Sequence, residues 1–301
     1  MNAGWKITAP ASSANLGPGF DSIGIAVSKY LTIEASICEE WSFHHHSDEL
    51  KGLPEGKDHL LYQIAKKTAD TYGASLPSCK VHVESDIPLA RGLGSSAAVV
   101  AAGIELANVT CQLSLSMKDK LLLGTKFEGH ADNVGASLLG GMIIGSYDRN
   151  DLHIVEASLT DVEIVVTIPN YELKTDDARQ VLPDKISYQQ AIKGSSVSNV
   201  FIAALLTENY ALVGQMMERD VFHEPYRIPL ISKFNEIRET AKLNGAYGTA
   251  ISGAGPTAIS LVCAENGEKV VHALQKRFPT MRVELLTIDQ AGTIVEPIAN
   301  K

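Results

Sequence analysis

The sequence lacks the cysteine spacing of a disulfide-bonded or zinc-binding protein. Its four cysteines are scattered, and none stands in a CxxC pair: Cys38, Cys79, Cys111 and Cys263. Structural zinc sites and disulfide frameworks need paired cysteines, so both are poorly supported. Scattered thiols are typical of small core residues in a reducing compartment, and we therefore predict a cytoplasmic protein.

Long apolar runs and basic clusters are also missing. No stretch approaches the ~18 consecutive apolar residues of a membrane helix, and the N-terminus lacks the basic and apolar regions of a secretory signal. The formal net charge is −9, and no more than two Lys or Arg residues are consecutive. Because nucleic acids and anionic membranes attract positive surfaces, we predict that neither is a partner.

What is present is an ordinary globular composition, with 301 residues of which 45% are hydrophobic. That length suggests one large domain or two medium ones. Hydrophobic periodicity and residues typical of helix and strand ends predict strands at residues 5–9, 25–35, 79–85, 162–168, 250–263 and 282–288. The same signals predict helices at residues 60–72, 95–108, 118–127, 203–219, 231–244 and 270–278. This alternation favours a two-layered α/β or α+β protein, and we place the domain boundary between Asp148 and Asp161.

Two segments between these elements are predicted to be irregular. Residues 10–22 form a turn-rich block, and the polar stretch 39–58 contains three consecutive histidines at 44–46. Neighbouring residues on a strand point to opposite faces, so a solvated loop is favoured there over a metal site. Residues 133–145 are small and rich in glycine, which predicts a close backbone approach and a return into a strand.

The segment PLARGLGSSAAVVAAGIELAN, residues 88–108, has the strongest chemical pattern. Gly92 and Gly94 allow a tight turn that approaches a ligand without Cβ obstruction. Ser95 and Ser96 then open a predicted helix whose free N–H groups and dipole attract an anion. No lysine follows, so this loop is not a Walker A motif. The pattern predicts phosphate binding.

Two other interpretations of this loop stay open. The residues Gly92 to Ala97 formally match GxGxxA, the dinucleotide fingerprint, but that fingerprint directly follows the first strand of a Rossmann domain. Here a proline and an arginine intervene, and the unit starts near residue 80. The glycines could also serve only the packing of a helix on a sheet. Phosphate binding is favoured over both.

The same loop resembles the ATP loop of the galactokinase, homoserine kinase, mevalonate kinase and phosphomevalonate kinase (GHMP) superfamily. PASSANLGPGFDSIGIA at residues 10–26 resembles the N-terminal motif of homoserine kinases in particular. EGHADNVGAS at 128–137 resembles their central motif, and SGAGPTAISL at 252–261 resembles the superfamily's C-terminal glycine motif. Four motifs in the family's order span residues 10–261, and we identify the chain as a suspected homoserine kinase.

The resemblance implies a fold and an activity. The fold is α+β, with an N-terminal ATP-binding domain, residues 1–155, like the second domain of ribosomal protein S5, and a ferredoxin-like C-terminal domain, residues 156–301. The activity is ATP-dependent phosphorylation of the hydroxyl of L-homoserine to O-phospho-L-homoserine, a step of threonine biosynthesis. The implied cofactors are ATP and Mg²⁺. Family members are often dimers, so a homodimer is our expectation.

The resemblance also implies site residues. ATP would contact the loop Pro88, Leu89, Ala90, Arg91, Gly92, Leu93, Gly94, Ser95, Ser96, Ala97 and Ala98. Mg²⁺ would be bound by Glu128 and a loop serine, for which we favour Ser96 over Ser95. The substrate would contact Asn15, Asp21, His130, Asn133, Arg179, Arg227 and Gly253. In this assignment the two arginines hold the carboxylate, because guanidinium groups match carboxylates bidentately.

The resemblance also implies contacts for the amino group and candidates for catalysis. Asn15 and Asp21 match the amino-group contacts, and the catalytic candidates near the hydroxyl are His130, Asp132 and Asn133. Mevalonate kinases place an aspartate near Asp132, but homoserine kinases are thought to work without a strong base. We therefore predict that Asp132 is mainly structural.

Several alternatives stay open. From composition alone, Glu128 and both arginines would be solvated surface residues. His59 stands where the family often carries Asn, which leaves the adenine contacts open. A sibling kinase for another small alcohol, or a non-catalytic nucleotide sensor, would share many of these motifs.

Overall fold

The computed structural model describes residues 4–149 and 151–298, which form two sheets and the helices packed on them. The strands are β1 (Gly4–Asn15), β2 (Gly19–Ile37), β3 (Ser42–His45), β4 (Cys79–Ser85), β5 (Met142–Asp148), β6 (Asp151–Ala157), β7 (Val162–Ile168), β8 (Ala246–Ile251), β9 (Ala258–Cys263), β10 (Arg282–Leu286) and β11 (Ile294–Ile298).

The helices are α1 (Leu60–Thr71), α2 (Ser95–Thr110), α3 (Met117–Glu128), α4 (Asp132–Leu139), α5 (Thr175–Gln180), α6 (Tyr188–Leu206), α7 (Tyr210–Met217), α8 (Glu224–Arg227), α9 (Phe234–Leu243) and α10 (Gly267–Arg277). Short 3₁₀ turns occur at Asp48–Leu50 and Ile228–Leu230. Within 4–149 and 151–298, no helix combines the length and hydropathy needed to cross a bilayer.

The first sheet has the order β11-β1-β2-β4-β3, and β5 pairs with both β2 and β6. Its pairs are antiparallel except for β3 with β4, which are parallel. Along β4, Cys79, Val81 and Val83 are buried while the residues between them are more exposed. The buried face packs in one core with the alanine-rich α2, and this packing fixes the N-terminus of α2 beside the ends of β1 and β4.

The second sheet has the order β10-β7-β9-β8, and all its pairs are antiparallel. The chain order β7, helices, β8, β9, α10, β10 is the ferredoxin-like arrangement that the resemblance implies. Alternate residues of β7 enter two cores: Ile164 and Val166 belong to the core that contains Val213 of α7, whereas Val165 belongs to the core that contains Phe234 of α9. The predicted α+β fold is confirmed.

The chain passes from the first sheet to the second between Ala157 and Val162, and β11 then returns to pair with β1. The predicted division after residue 155 therefore lies within β6. The domain bounds 1–155 and 156–301 stay a prediction.

Three local expectations were wrong. The block 10–22 is mostly strand, because left-handed φ angles at Asn15, Leu16 and Gly17 compress the turn between β1 and β2. The predicted helix 203–219 is the end of α6 followed by α7, which is capped by Asn209. His44 and His45 lie in β3 rather than in a loop.

The glycine-rich segment 133–145 forms α4 and β5, and the sequence did not predict that helix. The predicted close approach is confirmed at Gly140, where a Cβ would lie 2.6 Å from the carbonyl carbon of Gln290. The helix predictions at 60–72, 95–108 and 118–127 are confirmed by α1, α2 and α3.

Candidate active site

The loop between β4 and α2 turns tightly at two glycines. Gly92 and Gly94 have φ angles of 76° and 67°, in the left-handed region that favours glycine. A Cβ on Gly92 would lie 2.2 Å from the carbonyl oxygen of Ser252, and one on Gly94 would lie 2.1 Å from Ser12 Oγ. Side chains are therefore excluded here, and backbone can approach a ligand closely.

This turn presents the start of α2 to the solvent. Gly94 is the N-cap and provides no side-chain hydrogen bond to the first helical N–H groups. Those donors and the helix dipole form an anion site. The C-terminal glycine motif supports the turn from behind, because Ser252 Oγ donates to the Gly92 carbonyl at 2.6 Å and Gly253 N donates to the Ala14 carbonyl at 3.0 Å.

Glu128, the last residue of α3, faces the start of α2. Ser96 Oγ donates to Glu128 Oε1 at 2.8 Å. Burial raises the pKa of Glu128, and the hydrogen bond from Ser96 and the charge of His130 oppose that shift. A hydroxyl and a carboxylate are oxygen ligands of the kind Mg²⁺ prefers, so this pair fits a magnesium ion bound beside phosphate.

The turn between β1 and β2 presents Asn15 and Asp21. Asn15 Nδ2 donates to the Gly253 carbonyl at 2.8 Å, and its Oδ1 accepts from Asp21 N at 3.0 Å. Arg179 of α5 then donates to both carboxylate oxygens of Asp21, at 2.9 and 3.2 Å. This bidentate ion pair is about 40% exposed on each side, which leaves it open to a ligand.

Arg227 of α8 lies beside that ion pair but is only 2% exposed. Its Nε donates to the Ala178 carbonyl at 3.0 Å and its Nη1 to the Gly253 carbonyl at 3.1 Å. Burial lowers the pKa of Arg227 to about 10, and the nearby Arg179 adds to this shift. The guanidinium therefore stays charged at neutral pH, and the solvated alternative is wrong for this residue.

His223, which the sequence analysis missed, holds Arg227 in place. The His223 ring is fully buried, with Nε2 3.0 Å from the Gly17 carbonyl and Nδ1 3.3 Å from Arg227 Nη1. A carbonyl needs a donor and a guanidinium needs an acceptor, so the ring is neutral and protonated on Nε2. Burial lowers its pKa to about 4, which agrees with this state. Its position four residues before Arg227, one helical turn away, is the sequence signal for this role.

His130, Asp132 and Asn133 meet at the start of α4. Asp132 is buried, and its Oδ1 lies 2.5 Å from His130 Nδ1 and accepts from Asn133 N at 2.7 Å. Burial disfavours the charged form of His130, but the contact with Asp132 outweighs it and raises the pKa of His130. Ser12 Oγ donates to Asn133 Oδ1 at 3.0 Å, which fixes the amide orientation.

Asp21, His130 and Asp132 have ligand atoms within 4.8 Å of one another and could also hold a cation. Asp21 is already paired with Arg179, however, and Asp132 with His130. The Ser96–Glu128 pair lies nearer the phosphate turn and is the better magnesium candidate.

One cavity of about 150 Å³ brings these groups together. Its lining includes every predicted substrate, metal and catalytic residue, and the predicted ATP loop except Leu89 and Ala98. Leu89 lines an adjoining cavity of about 520 Å³, together with Ser95, Ser96 and Val99. Ala98 is buried under the turn.

His59 lines the adjoining cavity as the N-cap of α1. Its ring stacks on Phe43 with centroids 4.2 Å apart, and its Nδ1 accepts from Leu61 N at 3.1 Å. Burial lowers the pKa of His59 to about 4, so the ring is neutral. A volume of this size suits a nucleoside, because ligand pockets commonly measure ~300–1,000 Å³.

The chain is similar to known proteins along nearly its whole length. Residues 59–141 match the family GHMP kinases N terminal domain, and residues 201–280 match GHMP kinases C terminal. The chain is 49% identical to a homoserine kinase from Bacillus pumilus, over 97% of this chain and 94% of the relative. It is 47% identical to one from Halalkalibacterium halodurans, over 99% and 97%.

The architecture matches as well. A crystal structure of homoserine kinase from Cytophaga hutchinsonii superposes with a TM-score of 0.86 and 28% identity, covering 97% of each chain. The family models match both halves of the chain, the relatives align along nearly their whole length, and the fold is shared. The chain belongs to the homoserine kinases of the GHMP kinase family.

Proposed function

We propose that this chain transfers the γ-phosphate of ATP to the side-chain hydroxyl of L-homoserine, a step of threonine biosynthesis. The observation that carries the proposal is the shared cavity, which has an anion-binding turn at one end and a balanced set of carboxylates and guanidiniums at the other. A phosphate donor and a zwitterionic acceptor would meet in this space.

The phosphate end would hold the triphosphate through backbone N–H groups at the start of α2. The nucleoside would occupy the adjoining cavity beside Leu89 and Val99. Ser96 and Glu128 would hold Mg²⁺, which when bound neutralises charge on the β- and γ-phosphates. Their oxygen chemistry and 2.8 Å contact support this assignment.

The acceptor end suits an amino acid. Asp21 offers a carboxylate for the ammonium group, while Arg179 and Arg227 offer guanidinium groups for the carboxylate. The ion pair between Asp21 and Arg179 already places the two charge types side by side. A zwitterion can bind across this pair with both of its charges matched, whereas a sugar offers no such charges.

The hydroxyl end would lie beside His130 and Asn133. Phosphoryl transfer passes through a loose transition state and needs alignment more than a strong base. Asp132 already accepts hydrogen bonds from its two neighbours, so we assign it the orientation of His130. His130, with its raised pKa, would donate a hydrogen bond near the transferring phosphate.

Coupled ADP release with a panel of alcohols tests this function. Homoserine should support turnover with ATP and Mg²⁺, whereas mevalonate, shikimate and galactose should not. Turnover with one of those alcohols instead would make the chain a sibling kinase. Nucleotide binding without any turnover would favour the sensor alternative.

We also propose a homodimer in the cytoplasm. The outer side of α6 exposes Tyr188 and Ile192, which are 83% and 55% accessible, and that 19-residue helix carries a single charged residue. Such an apolar stripe suits a second copy of the chain. Light scattering should give a dimer mass for the wild type and a monomer mass for Ile192→Glu. A wild-type monomer would contradict the proposal, and the cytoplasmic location rests on the sequence.

A further inference from the structure

The outer face of the first sheet carries three histidines, which we call the outer histidine cluster: His44, His46 and His82. His44 and His46 are two residues apart along β3 and its extension, so their side chains share a face. His82 of β4 is the register partner of His44 across the parallel pair. The strand pairing thus brings His82 beside two histidines that precede it by 36 and 38 residues.

The three imidazoles are in contact. His46 Nε2 and His82 Nδ1 are 2.9 Å apart, at hydrogen-bond distance. The ring of His82 also stacks on His44, with centroids 5.0 Å apart, and on His46, at 5.1 Å. Two nitrogens of the cluster are therefore adjacent, and rotation of these exposed rings could turn them toward one ion.

The surroundings of the cluster are polar and open. Glu34 is the register partner of His82 on β2, so its carboxylate lies on the same face of the sheet. His44 and His46 are exposed, so an ion can reach the cluster from solvent.

We infer that the outer histidine cluster binds a divalent transition-metal ion such as Zn²⁺, with His46 and His82 as ligands and His44 completing the set by a side-chain rotation. Imidazole nitrogen suits Zn²⁺, Cu²⁺ and Ni²⁺, whereas Mg²⁺ prefers oxygen. This site is separate from the proposed magnesium site, because none of the three histidines lines the active cavity.

Binding would join an edge strand to its neighbour. β3 lies at the end of the sheet order, and its only strand partner within residues 4–149 and 151–298 is β4. An ion held by ligands from both strands would oppose their separation, so the ion should stabilise the folded chain. The opposite side of β3 carries His45, which stacks on His59 with ring centroids 5.4 Å apart.

Calorimetric titration with Zn²⁺ tests the site in four forms of the full chain: wild type, His82→Gln, His130→Gln and His272→Gln. His272 is exposed on α10 and serves as the matched control. The wild type and His272→Gln should each bind one equivalent of Zn²⁺ with the same affinity. The affinity of His82→Gln for Zn²⁺ should be at least ~10-fold lower, since even groups that only support the ligands of a metal contribute that much. Equal binding by His82→Gln, or loss only in His130→Gln, would overturn the inference.

Thermal melting and electron paramagnetic resonance test the site without a measurement of Zn²⁺ affinity. Zn²⁺ should raise the melting temperature of the wild type and of His272→Gln, but not that of His46→Gln, whose exposed ring can be replaced without disturbing the core. With Cu²⁺, electron paramagnetic resonance should show nitrogen couplings from at least two imidazoles in the wild type and fewer in His46→Gln. Unchanged couplings and an unchanged melting shift in that variant would reject the site.

Discussion

The two ends of the active cavity are built in different ways. The phosphate end is backbone, shaped by Gly92 and Gly94 and by the first turn of α2. Arg91, within the same loop, donates from Nη1 to the Leu89 carbonyl at 2.8 Å. The acceptor end is made of charged side chains, each held by a neighbour. A backbone site can be recognised from local sequence, whereas a side-chain site combines residues that lie far apart in the chain.

Replacing a glycine should break the phosphate end most severely. In Gly92→Ala the new Cβ would meet the backbone of Ser252 and Gly255 at a left-handed φ, so the turn cannot close. We expect kcat/KM for ATP to fall by at least ~10²-fold, as when a preorganised donor is lost. Gly56→Ala, where the Cβ meets nothing, is the control. Steady-state kinetics and circular dichroism check both variants, and a near-normal Gly92→Ala enzyme would contradict a rigid phosphate turn.

Glu128→Gln tests the junction of the two ends. Loss of the carboxylate weakens the proposed magnesium site, so kcat should fall about 10²-fold and the Mg²⁺ concentration for half-maximal rate should rise. Ser96→Ala should have a smaller effect in the same direction, and Ser95→Ala almost none. An unchanged Mg²⁺ dependence in Glu128→Gln would place the metal elsewhere.

Lysine variants of the two arginines compare a buried substrate contact with an accessible one at the acceptor end. Arg227→Lys should raise KM for homoserine about 10–100-fold, the equivalent of the ~1.5–3 kcal/mol of a charged hydrogen bond, and leave KM for ATP nearly unchanged. Arg179→Lys should have a smaller effect, because Arg179 is more exposed and keeps fewer partners. A thermal melt confirms that each variant is folded. Equal rises in both KM values would put Arg227 outside the substrate pocket.

Asp132→Asn tests whether the acceptor end contains a strong base. We expect kcat to fall less than ~10³-fold, with both substrates bound normally, because the carboxylate only orients its neighbours. The pKa of His130 should fall toward its ordinary value in the same variant, which NMR can follow. A larger loss of kcat with normal binding would show that Asp132 takes the hydroxyl proton.

Of these variants, His59→Asn should have the smallest effect. It should change the free energy of unfolding rather than the rate of phosphoryl transfer. The folded pKa of His59 is about 4, below the unfolded value of 6.5, so unfolding takes up a proton between these limits. The free energy of unfolding should therefore fall as the pH falls from 6.5 to 4, by up to ~1.4 kcal/mol per pH unit from this residue. Asn can keep the N-cap while removing the titration.

Urea denaturation at several pH values measures this slope. The variant should lose stability less steeply than the wild type, and His223 at the acceptor end should account for part of the remaining slope, because its pKa is also about 4. Identical slopes for the wild type and His59→Asn would show that the pKa of His59 does not change on unfolding.

The contrast between the two ends also explains how far sequence could predict the site. The glycine turn and the start of α2 were predictable, because glycine spacing and a following helix directly imply an anion site. The motif resemblance gave Asp21, Arg179 and Arg227 as candidates. It could not show that Arg227 is buried, or that Asp21 pairs with Arg179, 158 residues away.

The same limit holds for the fold. Local periodicity predicted α1 and β4 well, and alanine-rich composition predicted α2. The predicted turn block at residues 10–22 was wrong, because the left-handed φ angles that shorten this turn depend on contacts with distant segments. Gly17, for example, packs against the Met217 carbonyl oxygen, where a Cβ would lie 2.1 Å away. His223 was missed for a related reason, since its contact with Gly17, 206 residues away, forms only in the folded chain.

The most direct test of the central claim is a crystal structure with a non-hydrolysable ATP analogue, Mg²⁺ and homoserine. We predict the triphosphate against the turn at residues 92–96, Mg²⁺ touching Ser96 and Glu128, and the homoserine carboxylate on Arg179 and Arg227. A nucleotide bound elsewhere, or an amino acid that leaves both guanidinium groups uncontacted, would contradict it.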